Sequence, residues 1–288
     1  MQRGYRLIRP PTVDGVTEMT RGDVDHSPMG HPAHWHREWQ LVAVTRGDGW
    51  VEVDGTSHRT PSGSLFLVPP EVVHSNGTFE DGCAFRSILI DPTLVHGIAD
   101  AAGLRLGRQA ICAMPVYHSG ALVRRFESFH RQLENRASVL ESEERLENWL
   151  LHLLGSRTRQ MPRFPTSVCH PAARRARECL WSRADEALSL SELAEEVGLS
   201  RFELSRQFKA AYGMPPHAWQ IQVRVGRAKE LLKKGVSPGD VAFQLGFSDQ
   251  AHLGRVFRKA TGFPPARFQA EFRKIVQDPS GMPREGAT

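Results

Sequence analysis

Two sets of residues in this 288-residue chain have the types and spacing to do chemistry. The first is built on histidine. In His34-Trp35-His36 two imidazoles share one face of an extended strand, because side chains alternate with period two. Gln40 follows four residues later, His74 lies further on, and the same rule turns Glu38 to the face of His36. Three imidazoles with an oxygen donor could hold Zn²⁺, Fe²⁺, Mn²⁺ or Ni²⁺. The rival reading is a metal-free pocket for a small molecule, walled by His34, His36, Glu38, Gln40, Trp50, Phe66 and His74. The second set is cationic. Arg201, Ser205, Arg206 and Lys209, and then Gln250, His252, Arg255, Arg258 and Lys259, fall on the outer faces of two short helical patterns, where DNA phosphates and bases would lie.

The second set rests on an internal repeat between Leu188 and Phe268. One copy runs Leu193-Ala194-Glu195-Glu196-Val197-Gly198-Leu199-Ser200, a helix from Arg201 to Tyr212, then Gly213-Met214-Pro215-Pro216. The other runs Val241-Ala242-Phe243-Gln244-Leu245-Gly246-Phe247-Ser248, a helix to Thr261, then Gly262-Phe263-Pro264-Pro265. Each copy reads as a helix-turn-helix. A glycine makes the turn, Ser200 caps one second helix and Ser248 or Asp249 the other, and Leu204 with Phe208, or Leu253 with Val256 and Phe257, face inward. Pro216 to Lys234 reads as one helix joining the copies. At about 1.5 Å per residue it is a rod of roughly 27 Å, suited to setting two recognition helices about one DNA turn apart.

The run Gly198-Leu199-Ser200…Leu204-Ser205-Arg206-Gln207-Phe208-Lys209…Gly213…Pro215, with Gly246-Phe247-Ser248-Asp249-Gln250…Leu253…Arg255-Val256-Phe257-Arg258…Thr261-Gly262…Pro264, resembles the DNA-binding domain of the AraC/XylS family of transcription regulators. The resemblance covers about Pro171 to Phe272. It implies a DNA-binding domain at 170–275, with helix-turn-helix units at 191–212 and 239–261. It also implies base-contacting positions at Phe202, Ser205 and Arg206, and at Gln250, Ala251, His252 and Arg255. Arginine pairs with guanine O6/N7 and glutamine with adenine N6/N7, so Arg206, Arg255 and Gln250 are the expected readers. Arg201, Lys209, Arg258 and Lys259 are the expected phosphate contacts.

The histidine set resembles the two short motifs of the cupin fold. His34, His36 and Gly47 match the first, and Gly63, Pro69 and His74 the second. Gln40 replaces the family's carboxylate ligand, Glu71 replaces a glycine, and the closing asparagine is displaced to Asn76. AraC-type regulators often carry a cupin-like domain at this position. The expected fold is therefore an α+β multidomain chain: an N-terminal cupin-like or jelly-roll β-barrel with two helices over 1–155, a linker at 156–169, and an all-α tandem helix-turn-helix domain. Candidate strands are Leu41–Thr45, Trp50–Val53, Leu65–Val68 and Phe85–Ile90, with an Asp54-Gly55 hairpin. Val116–Asn135 and Val139–Leu154 read as amphipathic helices, whose apolar stripes need cover from the barrel or a second copy of the chain. Asp278–Thr288 reads as a disordered tail.

Charge follows this division. Residues 1–166 carry 18 Lys and Arg against 19 Asp and Glu, a net −1, whereas residues 167–288 carry 19 against 13, a net +6. The basic half holds the repeat, as phosphate contact requires. No stretch approaches 18 apolar residues and Met1–Arg6 has no apolar signal core, so a cytoplasmic protein without a membrane-spanning helix is expected. Cys83, Cys112, Cys169 and Cys179 are scattered and read as thiols. No nucleophile motif, phosphate loop or acid–base carboxylate pair points to an enzyme. The expected function is a transcription regulator, such as an activator. Its partners would be promoter or operator DNA, a small-molecule effector in the barrel, a second copy of the chain and RNA polymerase. The alternative is a metal-dependent cupin sensor or enzyme fused to a DNA-binding domain.

Overall fold

A computed structural model describes residues 6–8, 13–24, 30–104, 106–134, 139–158, 170–186 and 188–277. The N-terminal half is organised by two long antiparallel strands, β4 (Trp39–Val53) and β7 (His74–Ile90), paired along most of their length. Bulges interrupt the ladder between Val44 and Arg46 and between Gly47 and Gly49. Gly47 has φ 69, and a Cβ on it would fall 2.1 Å from the Gly82 carbonyl oxygen, so only glycine allows this close approach of the two backbones.

The bulges divide the sheet into two leaves. One runs β1 (Arg6–Ile8), β2 (Val16–Val24), the C-terminal half of β7, the N-terminal half of β4, β6 (Ser64–Val68) and β8 (Val116–His118). The other adds β3 (Gly30–His34) to the start of β7 and β5 (Thr56–Pro61) to the end of β4. Asp54 (φ 52) and Gly55 (φ 75) make the expected hairpin turn between β4 and β5. The expected barrel is a correction: β1 and β8 end the path and no ladder joins them among the described residues, so the domain is an open, rolled, cupin-like sheet.

Alternation along β4 gives the sheet two faces. Trp39, Leu41 and Ala43 point outward into the first core, whereas Gln40, Val42 and Val44 face the concave side. Helices α1 (Pro92–Ala101), α2 (Arg108–Ala113), α3 (Gly120–Glu134) and α4 (Val139–Thr158) cover the outward face. The stripes of α3 and α4, including Phe126 and Leu153 with no exposed surface, are buried within the chain, so they are not left for a second copy. Val116–His118, expected to begin a helix, is instead strand β8 on the free edge of β6, and α3 starts at Gly120. Helix α4 continues to Thr158, past the expected end of the domain at 155. The rest of the expected linker, Cys169 and the tail from Asp278 lie outside the described residues. Cys83 and Cys179 are free thiols.

Arg86 of β7 is nearly buried and meets Glu134 and His130 of α3 beneath the sheet. Burial raises the Glu134 pKa, but the hydrogen bond from His130 and the Arg86 guanidinium outweigh it and hold the carboxyl down at about 2.

The C-terminal half has seven helices among the described residues: α5 (Pro171–Ser182), α6 (Leu190–Val197), α7 (Arg201–Tyr212), α8 (Pro216–Lys233), α9 (Pro238–Gln244), α10 (Gln250–Thr261) and α11 (Pro265–Gln277). They form two cores that share α8. Trp219 and Val223 enter the first with Leu204 and Phe208, and Val225, Ala228 and Leu232 enter the second with Leu253 and Phe257. Ser189 and Ser200 make full capping boxes with Glu192 and Glu203, and Asp249 rather than Ser248 caps α10. The repeat reaches beyond the helix-turn-helix units: Gln220 of α8 donates to the Ala184 and Glu186 carbonyls, and Gln269 of α11 to those of Leu232 and Val236. Arg224 joins the copies, bonding the carbonyls of Ala184 (2.5 Å), Gly246 (2.7 Å) and Glu186 (2.9 Å).

Two outcomes follow. Gly198 (φ 72) has open space where a Cβ would be, whereas a Cβ on Gly246 (φ 67) would lie 2.2 Å from the Asp185 carbonyl oxygen. In urea unfolding Gly198→Ala is expected to lose about 1 kcal/mol from backbone strain alone, and Gly246→Ala at least twice as much; equal losses would contradict the close approach. Since Glu134 is depressed in the folded state, its stabilisation is present above the ordinary carboxyl value of 4.5 and is lost as pH falls toward 2. The stability gap between wild type and Glu134→Gln should therefore close over that interval, and a gap independent of pH would refute the ionised pairing.

Candidate ligand cavity and DNA-binding surface

Between the concave face of the sheet and helix α8 lies a cavity of about 790 Å³. The sheet contributes Gln40, Val42, Phe66, Thr78 and Leu89, and the segment after β3 contributes His36 and Glu38. The DNA-binding half contributes Gln222, Gly226 and Lys229 of α8, with Ala260 and Thr261 from the end of α10. The cavity thus belongs to both halves. Of the residues expected to wall a pocket, His34, His36, Glu38, Gln40, Trp50 and Phe66 line it. His74 does not: it is 1% exposed and stands behind the other two histidines.

The histidines do come together. His34 closes β3 opposite His74 in register on β7. Ring centroids are 4.2 Å apart for His34 and His74, and 4.9 Å for His36 and His74. One ring nitrogen from each lies within 4.8 Å of the others, and Glu38, the expected carboxylate neighbour, is not part of that group. Each Nδ1 points at a backbone carbonyl: His34 at Pro32 (2.8 Å), His36 at Glu38 (2.8 Å) and His74 at Val72 (2.9 Å). A carbonyl can only accept, so each Nδ1 carries the proton and each Nε2 keeps its lone pair. Burial, followed by the neighbouring imidazoles, lowers the His34 pKa to about 3 and that of His74 well below the ordinary range, and burial lowers His36 as well. At neutral pH the three are neutral donors.

Opposite them is a charge contact that sequence reading missed. Lys229 Nζ of α8 lies 2.5 Å from Glu18 Oε2 of β2, with both side chains largely buried. Burial raises the Glu38 pKa, but Lys229 and then His36 bring it below the usual value, so the carboxylate stays ionised. Nothing in the local pattern marks Glu18 or Lys229, because they are 211 residues apart and meet only through the docking of the two halves.

Three more contacts hold that docking. Trp35 is 5% exposed and stacks on Trp219 at 4.2 Å. The Arg37 guanidinium lies 4.6 Å from the Trp181 ring centroid. Arg177 of α5 pairs with Glu71 at 2.9 Å. Glu71 stands where the cupin motif has glycine, and its φ of 58 is indeed left-handed, a strain of about 1–2 kcal/mol. The Glu71 amide, donating to the His36 carbonyl at 2.8 Å, and the Arg177 pair offset that strain.

Of the expected DNA contacts, Arg201, Phe202, Arg206 and Lys209 of α7 and Gln250, Ala251, Arg255, Arg258 and Lys259 of α10 are exposed, and Ser205 is half-exposed. Phe202 is 76% exposed, unusual for a residue with no apolar cover. His252 is partly withdrawn, its Nδ1 3.1 Å from Ser248 Oγ and its ring edge-on to Phe247. Phe243 on α9, 88% exposed, was assigned no role by the sequence pattern.

A cavity-bearing cupin-like domain joined to a tandem helix-turn-helix domain defines a ligand-responsive DNA-binding regulator. Residues 19–154 match the model of the AraC-like ligand binding domain, and residues 193–271 match that of a helix-turn-helix domain. The chain belongs to the AraC/XylS family of transcription regulators and is a regulator rather than an enzyme. It is similar to the uncharacterized HTH-type transcriptional regulator YbfI of Bacillus subtilis, 27% identical over 77% of this chain and 81% of the relative. It is also similar to the transcriptional activator RhaR of Klebsiella pneumoniae, 27% identical over 83% and 88%. Apo ToxT from Vibrio cholerae shares the two-domain fold, with TM-score 0.62 and 12% identity over 88% of this chain and 96% of that one. No described helix is long and apolar enough to cross a membrane.

Lys229→Met should weaken the docking of the two halves by about 1–3 kcal/mol, since it leaves Glu18 buried without its charge partner. In a double-mutant cycle read by urea unfolding, Lys229→Met with Glu18→Gln should lose less than the two single changes summed. Additive losses would show that the contact carries no coupling.

Proposed function

We propose that this regulator binds promoter DNA through α7 and α10, and that a small molecule in the shared cavity sets how the two halves are arranged. The observation that carries this reading is that the cavity is roofed by α8, the helix that also forms part of both helix-turn-helix cores. A ligand there contacts the sheet and the DNA-binding half together, so it can favour one arrangement over another only by differential contact with the two. In this reading Arg206, Arg255 and Gln250 read base edges, Phe202 and Ala251 make apolar contacts such as to a thymine methyl, and Ser205 and His252 lie beside them. Arg201, Lys209, Arg258 and Lys259 bind phosphates. The 18 residues of α8 space the two recognition helices, at about 1.5 Å each, over roughly 27 Å.

Activation is the direction we assign, in line with the RhaR relative, in the cytoplasm, with a second copy of the chain and RNA polymerase as partners. The functional units are 1–155 and 170–275. The exposed Arg and Lys side chains of α7 and α10 support the DNA-contact assignment.

Fluorescence anisotropy against duplexes selected from a randomised pool separates the roles. Arg206→Ala and Arg255→Ala should each lose about 1–3 kcal/mol and relax preference at one base position. Lys209→Ala and Lys259→Ala should instead weaken all sequences alike and lower the salt slope by about 1. Uniform weakening by the arginine variants would remove them from base readout.

A further inference from the structure

We infer that the small molecule held in the cavity is an organic cation, an ammonium head on an apolar body, with the head paired to Glu38 beneath α8 and the body lying along Val42, Val44 and Phe66. The inference rests on the cavity reading above and names the chemistry of the ligand; its binding readout does not depend on DNA.

Strand register grades the concave face. Glu18, Leu89 and Gln40 stand opposite one another across β2, β7 and β4. Thr20, Ser87 and Val42 form the next row, with Phe66 of β6 beside them. Phe85 and Val44 lie in the third. All of these residues line the cavity. Its floor thus passes from charged through hydroxyl to apolar in two steps of two residues, roughly 13 Å at about 3.4 Å per residue. A ligand that matches this floor has one polar end and an apolar length.

The sign of the polar end follows from the charges that meet there. Lys229 reaches in from α8 but faces Glu18 at 2.5 Å. Other charged lining residues are engaged elsewhere: Arg227 with Asp185 and the Trp181 carbonyl, Glu230 with Lys233, Arg37 over Trp181, and Asp91 as the cap of α1. Two carboxylates, Glu18 and Glu38, thus face one ammonium, and among the described residues no ion pair includes Glu38. The hydrogen-bonding atoms left over have the same sense. His36 Nδ1 gives its proton to the Glu38 carbonyl, so its buried Nε2 presents a lone pair without a partner. Gln40 Oε1 is likewise buried and unpartnered. Turning that amide over would let Gln40 donate to His36 and would still leave the Glu38 carboxylate uncompensated. An ammonium has three donors and no acceptor, so it answers carboxylate and lone pairs together. A ligand carboxylate would meet like charge and lone pairs, unless it displaced Glu18 from Lys229. A neutral polyol would leave the Glu38 charge without its counterpart.

The test titrates the full chain by calorimetry with three probes of one shape: phenylbutylamine, phenylbutanol and phenylbutanoate. Wild type should bind the amine about tenfold or more tighter than the alcohol, as a charge-assisted bond exceeds a neutral one, and the acid least. Glu38→Gln should remove that preference and keep the alcohol affinity, which reports an intact cavity. Gly226→Phe should block all three probes: Gly226 lines the cavity from α8, and a Cβ there meets nothing within 4 Å, so the added ring has room to enter. Equal affinities, tighter binding of the acid, or an amine that fails to bind at millimolar concentration overturns the inference, and these outcomes are read on wild type with no variant to fold. Amine binding that survives Gly226→Phe puts the ligand outside the cavity and overturns it too. An amine preference retained by Glu38→Gln overturns the assignment of the head. Bound amine should change affinity for the selected duplex by about fivefold or more. Amine binding with unchanged duplex affinity counts against the regulatory response proposed above, and leaves the ligand class standing.

Discussion

Helix α8 has no face to spare, and the rest of the molecule depends on that. Trp219 and Val223 complete one helix-turn-helix core, Val225, Ala228 and Leu232 complete the other, and Gly226 and Lys229 close the cavity. Gln220 and Arg224 complete the wiring by satisfying carbonyls of the turn after α5 and of the second helix-turn-helix. Five donated bonds from two buried side chains tie α8 to the turn after α5 and to the turn of the second helix-turn-helix, and the Ala184 carbonyl among their acceptors belongs to a buried residue. The cavity and the helix-turn-helix cores of α7 and α10 are thus joined through one helix.

Electrostatics divides the same object into two environments. On α7 and α10 the cations are exposed, as the proposed phosphate contacts require. Toward the cavity, Glu18 and Lys229 pair across the boundary, and the imidazoles beside them are held neutral by burial. Two ion pairs, Glu18 with Lys229 and Glu71 with Arg177, the stacked Trp35 and Trp219, and Arg37 over Trp181 cross the boundary between the halves. Specific contacts of this kind are where ligands can shift an arrangement.

The sequence by itself determined the repeat, the caps and the facing of its helices. Gly198 and Gly246 in left-handed turns, Leu204 and Phe208 inside, and Arg206 and Arg255 outside all follow from local rules of helix period and capping, which tertiary packing leaves unchanged. The Asp54-Gly55 hairpin and the pairing of His34 with His36 were legible for the same reason. Strand β8 was not, since Val116–His118 has too few residues to show a period and is extended only because β6 offers a free edge. The open roll in place of a barrel was likewise decided by where the bulges of β4 fall and by which edges find partners. Only the tertiary structure decided that Trp35 leaves the sheet for the core of the other half, that Glu71 answers Arg177, and that Lys229 closes the cavity over Glu18. Those contacts join residues separated by more than a hundred positions, and no local pattern encodes a partner that distant. It is chosen by complementary surfaces once each half has folded.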